Sequence, residues 1–226
     1  MITFVEDTLG CLGLFLYLCA SINQKEIFVE LGARLKHLLV WGSRLHRCRG
    51  FGVQSPTDYA FIRYVINEHW PYYEYECLAQ RGDDWLTGKL GRLYFRVANW
   101  RQPMRILSYD GGMAYYGDYL HSGCKKAMIV PLDTHTDAKT LKEYLPLEML
   151  VVTPTEGYEH LLQRVLDVAD ERTVCVIEAI HRDDATLSVW KKLIADQRTG
   201  ITFDLYYCGI VMFDTKRYKR NYIVNF

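Results

Sequence analysis

The chain has 226 residues, half of them hydrophobic, enough for one large domain or one domain with an N-terminal extension. Its 27 Lys and Arg balance 27 Asp and Glu, so no long-range field favours DNA, RNA or an anionic membrane as partner. Seven cysteines and seven histidines are scattered without C-x-x-C or H-E-x-x-H spacing, which gives no zinc motif and suits free thiols in a reducing cytoplasm.

Leu9 to Ala20 is an apolar run of a dozen residues, short of the roughly 20 that a spanning helix needs. Glu6 and Asp7 precede it, so it makes a poor signal peptide. It reads as a helix packed on the domain or on a second copy, and membrane attachment is not expected. Leu35, Leu38, Leu39 and Leu45 follow at helical spacing. Ser55 then has the chemistry of a helix N-cap, with Pro56 in the first turn and Asp58 at the capping-box position. That helix is expected to run through His69 until Pro71. Leu86, Leu90, Leu93 and Val97 mark another, ending before Pro103.

From there strands and helices alternate. The expected strands are 105–109, 127–132, 149–153 and 173–180; the expected helices are 114–122, 137–145, 156–171 and 184–198. Near-continuous apolar strands such as Val174-Cys175-Val176-Ile177 suit a parallel sheet covered on both faces. The last three apolar segments, 201–207, 210–213 and 222–226, have no helices between them and predict an antiparallel C-terminus, with Cys208-Gly209 as a tight turn. Lys216-Arg217 and Lys219-Arg220 read as a solvated turn rather than a nucleic-acid patch. The organisation expected is an extension over 1–34, a helical entry region over 35–103 and an α/β domain over 104–226.

Three stretches carry a resemblance. Gly50-Phe51-Gly52-Val53-Gln54-Ser55-Pro56 precedes a helix; Val174 to His181 ends a strand in Glu178-Ala179-Ile180-His181; and Ile201-Thr202-Phe203-Asp204-Leu205 is followed by Gly209-Ile210-Val211-Met212-Phe213. In order and spacing they resemble a bacterial group within the class I S-adenosylmethionine-dependent methyltransferases, whose members show an H-G-x-x-S-P entry and a D-D-I-H strand end. The resemblance covers roughly residues 35 to 226. It implies a Rossmann-like α/β fold, a mostly parallel sheet with helices on both faces and a C-terminal antiparallel hairpin. It also implies S-adenosylmethionine as cofactor and a small-molecule acceptor.

On this resemblance Asp110, Gly111 and Gly112 form the cofactor loop after the first strand, and Asp133 is the acid that bonds the ribose hydroxyls. Glu178 and His181 lie at the carboxyl edge of the sheet as the acid–base pair. Each has a plainer reading: Asp110-Gly111 as a turn, Asp133 as a capping or solvated acid, His181 as a structural histidine. The pattern also departs from the family. Gly117 comes one residue late, and the stretch 134–148 has room for one helix only, so the third strand is missing. Thr153-Pro154 stands where catalytic relatives carry an Asp, and Glu178-Ala179 replaces a pair of acids. With those oxygens lost, no metal site is expected. Two functions follow: a methyltransferase for an unidentified small acceptor, or a catalytically inactive methyltransferase-fold protein serving as a binding or assembly module. The N-terminal helix would then support a homodimer.

Overall fold

In a computed structural model of the chain, the structure describes residue 32 and residues 35–109, 112–133 and 138–226. The Leu9–Ala20 helix, Asp110 and Gly111 lie outside the described residues. Contacts divide the chain into two compact units, Met1–His46 and Arg47–Phe226. In the first, residues 35–43 are helical and expose Leu35, Leu38 and Leu39.

The second unit contains a seven-stranded sheet: β1 (Arg105–Tyr109), β2 (Met128–Leu132), β3 (Met149–Val152), β4 (Val174–Glu178), β5 (Ile201–Asp204), β6 (Cys208–Met212) and β7 (Arg220–Ile223). The spatial order is β2-β1-β3-β4-β6-β5-β7. β1 to β4 are mutually parallel, and β6 runs antiparallel to both β4 and β5. This is the α/β, mostly parallel Rossmann-like arrangement with a C-terminal hairpin. The sheet ends at β2, and only one helix, α5 (Ala138–Glu143), lies between β2 and β3 among the described residues.

Side-chain alternation sorts the strands onto two cores. Ile106, Val151, Val176, Phe203 and Ile210 face the helices α1 (Pro56–Phe61), α3 (Trp85–Arg101) and α4 (Gly112–Gly123). Leu107, Leu150, Cys175, Ile177 and Val211 face α5, α6 (Tyr158–Val168) and α7 (Asp184–Ala195). A short helix, α2 (Glu74–Ala79), precedes α3. Among the described residues no helix is long and apolar enough to cross a membrane.

Ser55 caps α1 as expected, accepting from the Asp58 N–H at 3.4 Å. The helix nevertheless stops earlier than its apolar pattern suggests: after Phe61 it widens into a π-turn over Ile62–Ile66 and ends at Asn67. The cause is Arg96, buried on α3, whose Nε and Nη2 donate to the Val65 and Ile66 carbonyls at 2.6 and 2.9 Å. Carbonyls held by a guanidinium no longer serve the next helical turn. A second difference concerns the hairpin. Cys208 and Gly209 belong to β6, and the turn is Leu205–Tyr207. Gly209 is needed inside the strand, since a Cβ there would meet the Trp190 ring at 2.6 Å. A third concerns β7, which joins β5 in parallel. The 213–219 connection crosses the amino end of β5, so β7 opposes β6, its neighbour in sequence, with β5 between them.

Candidate functional site

β1 lies between β2 and β3, so the sheet's order reverses there; ligands of open α/β sheets bind outside the carboxyl ends of strands at such a point. Tyr109 pairs with Leu132, so Asp133 follows β2 beside the end of β1. Gly112 opens α4, and Asp133 is exposed. Of the four expected cofactor residues, Asp133 therefore follows a strand end and Gly112 begins the helix after β1.

Glu178 ends β4 on the α3/α4 side. Tyr94 of α3 donates to its Oε1 at 3.0 Å, and Thr153, just after β3, donates to its Oε2 at 3.4 Å. Burial pushes the Glu178 carboxyl up to about 7, against the pull of those two hydrogen bonds. Tyr94 is fully buried and packs edge-on to Tyr116 of α4, centroids 4.6 Å apart. Burial raises both phenols, and the Glu178 charge adds to the effect. Cys208, opposite Glu178 across β4 and β6, is buried, and desolvation followed by the Glu178 charge holds its thiol protonated. On the other side of Glu178 the space against Pro154, Tyr158 and Trp190 is too tight for water.

His181 stands three residues on, with different partners. Its Nε2 lies 2.8 Å from Asp204 Oδ2 at the end of β5, and its ring stacks on Tyr206 at 4.9 Å and 12°. Asp204 Oδ1 accepts from the Tyr206 N–H at 2.9 Å, so one carboxylate holds both the histidine and the turn. The geometry is strained: Ala179 and Tyr206 sit at φ of +48° and +73°, where side chains other than glycine's are disfavoured. The bond from the Ala179 N–H to the Tyr207 carbonyl, 2.7 Å, ties the two strained residues' loops together. The His181 side chain is 22% exposed, which leaves its ring open to a solvent-borne partner, while the Asp204 side chain is 11% exposed.

Glu178 and His181 are thus two centres side by side, with no described contact joining them. Asp204, Tyr94 and Tyr206 were missed in the sequence reading. An acid ending the apolar strand Ile201-Thr202-Phe203-Asp204 was a signal for the first; the tyrosines gave none. Among the described residues no group of three or more His, Cys, Asp or Glu side chains is arranged to hold a metal ion.

No protein-family model matches the chain, and no curated protein matches it. Among solved structures the chain is similar to the SAH-bound Podospora anserina methyltransferase PaMTH1, at 13% identity and a TM-score of 0.47, over 71% of this chain and 97% of that one. A likeness of this order assigns no residue role and no ligand.

Proposed function

We propose that the protein is a methyltransferase-like protein that takes S-adenosylmethionine at the carboxyl ends of β1 and β2 and acts on a small acceptor beside His181. The observation that carries this reading is the His181–Asp204 pair, held in strained backbone at the carboxyl edge of a sheet whose order reverses at β1. The residues present fit the cofactor's ribose side: an exposed carboxylate accepts two hydrogen bonds from a diol, and Gly112 brings backbone close without a side chain. When bound, S-adenosylmethionine supplies an electrophilic methyl group, and catalysis then rests mainly on alignment. Asp204 orients the His181 ring, and His181 takes the proton that the acceptor heteroatom loses. Glu178 is the poorer base because both of its oxygens already accept hydrogen bonds.

The test is calorimetric titration with S-adenosylhomocysteine. Asp133→Ala should weaken binding about tenfold or more, the cost of one or two charge-assisted hydrogen bonds. His181→Ala should leave binding intact while abolishing methyl transfer. Equal affinity in Asp133→Ala removes the ribose role. A second reading, an inactive module of the same fold, is favoured by the Tyr94–Tyr116 packing over Glu178.

A further inference from the structure

The basic turn near the C-terminus packs against the Gly52-Val53-Gln54-Ser55 entry segment, and a cleft of about 590 Å³ opens between them. That volume lies within the roughly 300–1,000 Å³ of small-molecule sites. Its walls carry Gln54, Lys216, Arg217, Arg220, Tyr218 and Tyr222.

The charges are not those of a freely solvated turn. Asp58 is 3% exposed, and its two oxygens are taken by Arg217 Nη2 at 2.5 Å and the Tyr222 hydroxyl at 2.9 Å. The same Nη2 reaches Ser55 Oγ at 3.0 Å and Thr57 Oγ1 at 2.6 Å. A buried carboxylate thereby fixes one corner, Nη2, of a guanidinium that lines the cleft. Arg220 is exposed and lines the cleft, where its charge acts on the Tyr222 phenol. Lys216 is paired with Glu171 at the rim. The cleft lining therefore holds three cations, of which Lys216 and Arg217 are paired with Glu171 and Asp58, and one arginine is anchored in place before any ligand arrives. A pinned guanidinium is suited to planar, bidentate recognition of an oxyanion, because little of its freedom is lost on binding.

We infer that this cleft binds the phosphate group of a small molecule, held by Arg217 and Arg220 with Gln54 as a neutral donor. The site is separate from the one proposed for S-adenosylmethionine. Arg220 pairs with Ile201 at the amino end of β5, whereas Glu178 and Asp204 end their strands. The inference therefore stands or falls independently of methyl transfer.

The test is a titration of the full chain with inorganic phosphate and with glycerol 3-phosphate, followed by amide NMR at constant ionic strength. The Gly52, Gln54 and Ser55 amides should shift in a saturable way. Arg220→Gln and Gln54→Ala, both changes at the cleft surface, should each weaken binding, the former about tenfold. Lys125→Gln, a distant exposed lysine, should leave it unchanged. Tighter binding of glycerol 3-phosphate identifies an organic ester as the ligand; equal affinity identifies the free ion. No saturable shift at these amides, or the same affinity in Arg220→Gln as in the wild type, would overturn the inference.

Discussion

Glu178 couples the site to pH. Its carboxyl titrates near 4.5 in an unfolded chain and near 7 in the fold, so between those values the unfolded state ionises while the folded state keeps its proton. The unfolded state then binds fewer protons, and stability falls as pH rises through that window, by on the order of 3 kcal/mol in all. Glu178→Gln keeps the shape and removes the titration. Denaturant unfolding at about pH 5 and about pH 8 should show the variant gaining on the wild type at the higher pH; parallel behaviour would mean that Glu178 is not held protonated. Ala179 offers a test of strain. At φ +48° a glycine relieves a clash of about 1–2 kcal/mol while adding freedom to the unfolded chain, so Ala179→Gly should raise stability by about 0.5–1 kcal/mol. At this scale the sequence was least legible. The partners of Glu178 lie 84 and 25 residues away, Asp204 lies 23 from His181, the partners of Arg217 lie about 160 away, and no local pattern encodes such pairings.

At the scale of elements, α3 and α4 approach closely, and two glycines mark opposite cases. A Cβ on Gly123 would meet the Phe95 carbonyl oxygen at 2.3 Å, a backbone atom that cannot step aside. Gly123→Ala should cost about 1–3 kcal/mol or more. At Gly88, inside α3, the nearest atom would be the Tyr119 hydroxyl at 3.9 Å. Gly88→Ala should therefore stabilise the helix by up to about 1 kcal/mol. Thermal unfolding of the two variants checks the pair, and a loss of stability in Gly88→Ala would contradict the helix packing described here. Elements were the readable level of this chain. Apolar runs such as Val174–Ile177 gave the buried parallel strands, Ser55 gave a helix start, and the short stretch between β2 and β3 holds one helix among the described residues. The errors came where tertiary contacts override local pattern: Arg96 ending the first helix early, Trp190 requiring Gly209 within β6, and a connection that carries β7 across β5.

At the scale of the whole molecule, the two proposed sites lie on one sheet. The carboxyl edge carries an oriented histidine, a buried carboxyl raised to about 7 and a strand-end acid beside the reversal at β1. The outer edge carries an arginine anchored by a buried aspartate. The entry motif and the basic turn build the second, and the strand ends build the first, so the chain's motifs divide between the two. The central claim concerns the first: that this edge still takes the methyl-donor cofactor although Tyr94 and Tyr116 pack over Glu178. Thermal unfolding in the presence of S-adenosylmethionine tests it most directly. At a ligand concentration about 100 times its Kd, the account predicts a stabilisation of about 2.7 kcal/mol, reduced in Asp133→Ala. An unfolding transition that does not move at millimolar-scale ligand, the weak end of specific affinities at about 4 kcal/mol, would contradict it and leave the fold as a module without the chemistry.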